Sequence, residues 1–376
     1  MEPAPSSSVP TKSIADGESA GSRPAHLGMI VRQAEPLNVE MPFGALDQFV
    51  TRTEDFFIRC HFPIPEISRD RWRLRISGEV AHPFELSWEE LRKMPKSSIT
   101  ATIECAGNGR VFLSPKVSGA QWERGAVGNA VWTGVLLKHV LERAAMKPSA
   151  AEIILSGADQ GKIEETPRPG GKIHYARSLP LAKACDDVLL AWQMNGADLT
   201  PAHGFPLRAI VPGWYGMASV KWLSDIVVTD RPFLGYYQSV DYAYWQRTQG
   251  EPSLVPITEM QVKAQIARPG PLEMVPRGQS YLVRGAAWSC EAEIVKVEVS
   301  TDGGSRWNEA RLGDIHDRHA WRLWEYAWLT PTNPGKAMLM VRAFDAKGRT
   351  QPEERDQDRG GYIINEVLGV DVVVGN

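Results

Sequence analysis

The chain has 376 residues, 43% apolar and 23% charged, a balance that excludes a fibre or a wholly disordered protein and predicts a globular chain of two domains. Lys and Arg number 42 against 45 Asp and Glu, so the positive field of a general nucleic-acid binder is missing and any anion site must be local. No run approaches the ~18 apolar residues of a membrane span, and the start lacks the basic and apolar segments of an export signal; the chain as written reads as soluble and cytoplasmic, or periplasmic if its N-terminus has been trimmed.

Residues 1–28 are rich in Ser, Pro, Gly and Ala and contain no aromatic residue, so a flexible arm is predicted, extending to residue 42. From Phe43 the texture changes: Phe49, Phe56, Phe57 and Phe62 arrive with Pro63 and Pro65, suggesting extended chain packed on a core, and a first domain over 43–255 begins here. Residues 72–76 alternate at period two and predict a strand, and Ser87 with Glu90 forms a capping box that opens a short helix. Residues 98–105 alternate so that Ile99, Ala101, Ile103 and Cys105 share one face of a strand, which Gly107 and Gly109 end. Thr133 reads as the cap of a second helix carrying Val135, Leu136, Val140 and Leu141. Strands separated by irregular stretches predict an α+β fold, and no GxGxxG or P-loop supports a nucleotide-binding sheet.

After a proline-rich stretch, residues 256–376 become strand-like. Ile294, Val295, Val297 and Val299 predict a strand with its odd positions on one face, Asp302-Gly303-Gly304 a hairpin turn, and 338–344 another strand. This spacing fits a β-sandwich, with Trp321, Trp324 and Trp328 crowded into its core or a subunit contact.

Cys60, Cys105, Cys185 and Cys290 lie far apart without a CxxC pair, which predicts neither a disulfide framework nor a structural zinc site. Cys105 differs from the rest: it sits at a strand tip, with the bare backbone of Gly107 and Gly109 and the charge of Arg110 behind it. Cations and oriented amides lower a thiol pKa, so Cys105 is a candidate soft ligand or nucleophile, the alternative being a buried structural thiol.

Cys105-Ala-Gly-Asn-Gly-Arg110 resembles the signature of the sulfite oxidase family of molybdenum enzymes. Further blocks follow in the family's order: Phe57-Ile-Arg-Cys-His61, Trp122-Glu-Arg-Gly-Ala-Val127, Gly157-Ala-Asp159, His203-Gly-Phe-Pro-Leu-Arg208, Pro212-Gly213, Ser219-Val-Lys-Trp-Leu223 and Asp241-Tyr242. The resemblance, which runs from about Phe43 to Tyr362, implies a molybdopterin-binding domain followed by an immunoglobulin-like β-sandwich dimerisation domain, hence a homodimer. It implies Cys105 as the protein ligand of molybdenum, and Cys60, His61, Asp159, His203, Arg208, Ser219, Val220 and Lys221 as contacts of the molybdopterin. Arg208 and Lys221 suit a phosphate, and Asp159 suits pterin N–H groups. Arg59, Arg110 and Arg359 match the family's oxyanion pocket, Trp122 its wall and Tyr242 its active-site hydroxyl.

The implied reaction is oxidation of sulfite to sulfate by oxygen-atom transfer at the molybdenum cofactor. No CxxCH motif occurs and the length leaves no room for added haem or flavin domains, so neither is expected in this chain, and electrons would pass to a separate acceptor such as a c-type cytochrome. Two departures stand out: Cys60 replaces the Asn common in the family, and Gln357-Asp358 precede Arg359 where Trp-Asn is usual. Nitrate or sulfoxide reduction and sulfane-sulfur oxidation are alternatives within the family; a non-catalytic scaffold with a recognition sandwich is the alternative outside it.

Overall fold

A computed structural model describes residues 28–247, 250–290 and 292–375. Residues 1–27, most of the predicted arm, lie outside these. The rest of that segment is no arm. Ile30–Gln33, Asn38–Glu40 and Ile58–Arg59 form a three-stranded sheet, and Asn38, Val39 and Glu40 are buried. Composition misled here because Asn38 and Glu40 are polar residues whose hydrogen bonds are met inside the fold, which a count of apolar residues does not register.

The first domain rests on two five-stranded sheets. In one, Ala197–Asp198, Leu189–Met194, Val127–Leu136 and Lys96–Glu104 lie side by side, with Arg208–Ile210 also paired to Leu189–Met194, all antiparallel. In the other the order is Phe84–Ser87, Arg73–Gly78, Leu223–Thr229, Glu152–Lys162 and Lys172–Pro180, with one parallel pair between Arg73–Gly78 and Leu223–Thr229. The capping box at Ser87 is formed as expected, opening the helix Trp88–Arg92. Thr133 caps nothing: it lies inside the strand Val127–Leu136, and the helix begins at Leu137. Two strand neighbours satisfy that backbone on both edges, which outweighs a local capping preference.

The second domain is a sandwich. One sheet holds Lys263–Arg268, Ser280–Trp288, Arg322–Leu329 and Arg311–Leu312; the other holds Met274–Pro276, Val370–Gly375, Gly335–Asp345, Ile294–Ser300 and Asn308–Glu309. Between them lies a valine-rich core that takes Trp324 and Trp328. Trp321 leaves this core and packs with Trp288 against the first domain. Val295 is exposed while Ile294, Val297 and Val299 are buried, because the strand is irregular between Ile294 and Lys296 and shifts its facing there.

The strand Lys96–Glu104, which delivers Cys105, departs from simple alternation. Its last four residues, Ala101, Thr102, Ile103 and Glu104, are all buried. The face that alternation would leave wet is covered by Trp321 and Trp288 of the second domain, which bond to Thr102 and Glu104. Among the described residues no helix is long and apolar enough to cross a membrane.

Candidate active site

The strand Lys96–Glu104 ends against a cavity whose empty volume, open mouth included, is about 660 Å³. Cys105 lies on its wall, as do Arg59, His61, Asp159, His203, Arg208, Ser219, Lys221 and Tyr242. These residues come from six separate stretches of chain. The sheets bring them together at strand ends and in the loops that follow.

At Cys105 the thiol is 7% exposed. Burial raises its pKa, and this outweighs the opposing pull of Arg59, Arg110 and the Gly107 N–H. The expectation of a thiol already made acidic by its neighbours is therefore corrected: in the bare protein desolvation wins, although the cations and the amide are where the sequence put them. A coordinated metal ion reverses this balance, since its charge deprotonates a thiol ligand outright.

Around Cys105 stand Arg59, Tyr242 and His61. Arg59 remains cationic: burial opposes its charge, but its pKa is raised, with the Asp241 carboxyl among the neighbours that favour the charge. Tyr242 is 3% exposed, burial keeps its hydroxyl protonated, and that oxygen lies 2.6 Å from His61 Nε2. The His61 ring is stacked on Tyr175 at 4.4 Å and set edge-on to Tyr237 at 4.7 Å. Burial, then the charges of Arg59, Lys221 and Arg177, hold His61 well below the usual imidazole range, so it is neutral.

A second group comprises Arg208, Lys221 and Asp159. The guanidinium of Arg208 donates to His203 O at 3.1 Å and Ser219 O at 3.2 Å, and its Nε is buried without a partner. Burial pulls its pKa down to about 9. Lys221 Nζ donates to Ala202 O at 3.0 Å and to Cys60 Sγ at 3.2 Å, and burial lowers its pKa too. Asp159 Oδ1 is buried without a partner, and desolvation pushes its carboxyl up to about 6. Gly204, at φ +103°, makes the close approach possible: a Cβ there would come within 3.1 Å of both Arg208 Cβ and Lys221 Cβ.

Two enclosed cations whose hydrogen bonds end on carbonyls and a thiol are short of a counter-anion, and an unpartnered carboxylate oxygen beside them is short of a donor. A cofactor bearing a phosphate and N–H edges satisfies both deficits. A thiol on the wall of the same cavity suits a soft metal carried by that cofactor. The residues fit a molybdopterin.

The remaining predicted residues do not line the cavity. Cys60 lies behind Lys221, and Val220, 1% exposed, packs in the main core beside it. Trp122 is fully buried under Cys105, its indole Nε1 unpartnered. Arg110 threads between Gly107 and Gly119, where a Cβ on either glycine would fall 2.5 Å from its nitrogens, and donates to Gly361 O and Ala120 O at 3.0 Å. Its charge reaches Cys105 and Tyr242 even so. Arg359 has its Nε 3.4 Å from the Asp356 carboxylate and donates from Nη1 to Asn365 Oδ1 at 3.3 Å.

Sequence reading overlooked several residues that hold the site. Asn38 Oδ1 accepts from Cys60 N at 3.0 Å and Arg59 Nη1 at 3.4 Å, fixing the turn that presents Arg59. Glu40, fully buried, accepts from Glu123 N at 2.9 Å and Gly125 N at 2.8 Å and so ties down the Trp122 loop. Arg177, also fully buried, caps Ile257 O at 2.7 Å and sits 6.0 Å from the Tyr242 ring. The Asn-Val-Glu alternation of residues 38–40 was the one visible signal for the first two.

A buried thiol and enclosed cations around one cavity fit the class of oxidoreductases that carry a metal cofactor, and residues 61–237 match the family model of the oxidoreductase molybdopterin binding domain, residues 255–370 that of the Mo-co oxidoreductase dimerisation domain. The sulfite oxidase of Gallus gallus is 36% identical over 353 residues, covering 89% of this chain and 75% of that protein. A nitrate reductase of Cichorium intybus is 31% identical, covering 88% of this chain and 39% of that one. The structure of the sulfane dehydrogenase SoxCD from Paracoccus pantotrophus superposes with a TM-score of 0.79 at 26% identity, over 94% of this chain and 92% of that one. The chain belongs to the sulfite oxidase family and is a molybdenum cofactor-dependent oxidoreductase. It spans 62% of the length of the mitochondrial sulfite oxidases of rat and human.

Proposed function

We propose that this chain oxidises sulfite to sulfate at a molybdenum-molybdopterin centre and passes the electrons to a separate acceptor such as a c-type cytochrome, working as a homodimer through its second domain. The observation that carries the reading is a single cavity lined by Cys105, Arg59 and Tyr242 together with Arg208 and Lys221, cations without a carboxylate partner among the described residues. Cys105 would hold the metal; Arg208, Lys221, Asp159, His203 and Ser219 would hold the pterin and its phosphate. When bound, that cofactor supplies the two-electron transfer of an oxygen atom.

The chain's own residues orient and shield. Arg59, kept charged, offers a planar fork to an oxyanion beside Cys105. The neutral His61 holds the Tyr242 oxygen at 2.6 Å through a shared hydrogen bond, so that Tyr242 keeps its hydroxyl on the cavity wall beside the bound anion. The charge of Arg110, set back behind Gly107, adds to the field without occupying the cavity. Similarity to sulfite oxidases along most of the chain supports sulfite as substrate. A second reading, oxidation of sulfane sulfur, is favoured by the likeness to the sulfane dehydrogenase.

The test is metal analysis and turnover on protein made in a host that synthesises the cofactor. We expect about one molybdenum per chain and steady-state reduction of cytochrome c by sulfite. Metal-free protein from such a host overturns the cofactor reading. Loaded protein that turns over thiosulfate-derived carriers, or nitrate with a reduced dye, but ignores sulfite overturns the substrate.

A further inference from the structure

The segment that carries Cys105 is gripped from the second domain at alternate residues. Thr102 N donates to His319 O at 2.9 Å, and Trp321 N donates to Thr102 Oγ1 at 2.8 Å. Two residues on, the Glu104 carboxylate is 1% exposed. One of its oxygens accepts Trp288 Nε1 at 2.8 Å; the other accepts Lys263 Nζ at 2.8 Å and Asn108 Nδ2 at 3.0 Å. Two further on, Ala106 O accepts Ile363 N at 2.8 Å. Lys263, itself 2% exposed, also donates to Asn108 O at 3.0 Å, while Asn108 N closes the turn onto Cys105 O at 2.9 Å. Cys105 is thus the residue at the centre of a turn whose flanks on both sides are bonded to residues from beyond 260.

A buried Lys–Glu pair is poor value as a source of stability. Desolvating both charges costs several kcal/mol per ion, and an apolar pair of equal volume is often as stable. Register is the best-attested use of such a pair, because charges that must meet permit one alignment of the surfaces that carry them. Here the two surfaces are the cysteine turn and the strand Lys263–Arg268.

We infer that Lys263, acting through Glu104 and Asn108, is a positioning residue for Cys105, so that the second domain sets where the metal-binding sulfur stands in addition to any part it plays between subunits. This rests on the proposed role of Cys105 as molybdenum ligand. The geometry also assigns the supporting parts: Trp288 shares Glu104 with Lys263, and Ile363 holds the turn from the opposite side.

The test uses the full chain, with and without cofactor. Lys263→Met is compared with Lys263→Arg, with Trp288→Phe, and with Lys263→Met/Glu104→Gln, in which no carboxylate is left unpaired. In cofactor-free protein, amide exchange of residues 103–108 rises at least about tenfold in Lys263→Met and in the double variant, while exchange in the far sheet is unchanged. In loaded protein the molybdenum(V) paramagnetic resonance spectrum shifts or splits into two populations, and kcat falls between roughly ten- and 100-fold with little change in KM. Lys263→Arg restores the exchange and the spectrum. Wild-type exchange and spectrum in the folded double variant overturn the inference; if that variant does not fold, the same result in Trp288→Phe overturns it. A wild-type chain that binds no molybdenum defeats the functional reading instead, and leaves the exchange measurement to decide the positioning.

Discussion

Arg208 and Asp159 carry opposite deficits, and each makes a prediction that needs no turnover. A guanidinium drawn down to about 9 by burial is held in an unfavourable place until an anion reaches it. Arg208→Met therefore leaves the cofactor-free chain as stable as the parent or more so, while molybdenum retained per chain falls by about tenfold or more, the loss of one charge-assisted contact. Melting curves and metal analysis check the two halves separately. For Asp159 the folded pKa is raised from 3.8 to about 6, so the native state holds its proton through a range where the unfolded state has released it. Between pH 4 and 6 the unfolded chain binds fewer protons than the native one, and stability at this residue falls as pH rises, by about 3 kcal/mol in all. Asp159→Asn should remove that slope from the urea midpoints of cofactor-free protein. These two residues were placed from the motif blocks of the family resemblance, and both line the cavity. Arg359 lies outside the cavity lining, near Asp356 and Asn365, neighbours of which a motif, giving only order along the chain, says nothing.

Short elements matter more to this site than long ones. The strand Asn38–Glu40 has three residues, yet it fixes Arg59 through Asn38 and the Trp122 loop through Glu40. The loop cannot supply its own support: a Cβ at Gly125 would fall 1.7 Å from Met41 O, so backbone lies directly on backbone and the two amides must find their acceptor in Glu40. Glu40→Ala leaves both amides buried and unpaired, at about 1–3 kcal/mol each. We expect a stability loss of roughly 4 kcal/mol in denaturant titration. Asn38→Ala should leave stability closer to the parent and lower kcat/KM for the oxyanion, since its work is to set the Arg59 turn. Neither residue was found from sequence, because a polar residue between prolines looks like loop until its partners, 85 residues away for Glu40 and Gly125, are known. The strands and the capping box were legible for the converse reason: period-two alternation and a Ser-to-Glu spacing are local. Thr133 shows the limit, since its strand is decided by two neighbours in space.

At the scale of the molecule the two domains share one interior. The main core contains Leu207, Tyr215 and Val220 from the first domain together with Ile257, Met260, Ala286, Trp288, Trp321 and Ile363 from beyond residue 250. The sandwich keeps a separate core of its own, with Val283, Val297, Trp324 and Val372. Whether the chain unfolds as two bodies or one depends on which of these dominates, and the seam is unusually deep: Trp288 and Trp321 are fully buried, and each bonds to the first domain through its indole N–H. Opening the seam alone would expose both rings and strand the Glu104 carboxylate, a cost comparable with the ~5–15 kcal/mol that separates folded from unfolded domains. The chain should therefore melt in a single calorimetric transition whose van't Hoff and calorimetric enthalpies agree, despite its two-domain architecture. Trp288→Ala removes the ring and one donor at once and should cost about 3 to 5 kcal/mol. Because that loss falls entirely on the seam, the variant should show two resolved transitions, the sandwich melting apart from the first domain. Two transitions already present in the parent would mean that the shared core is weaker than its burial implies.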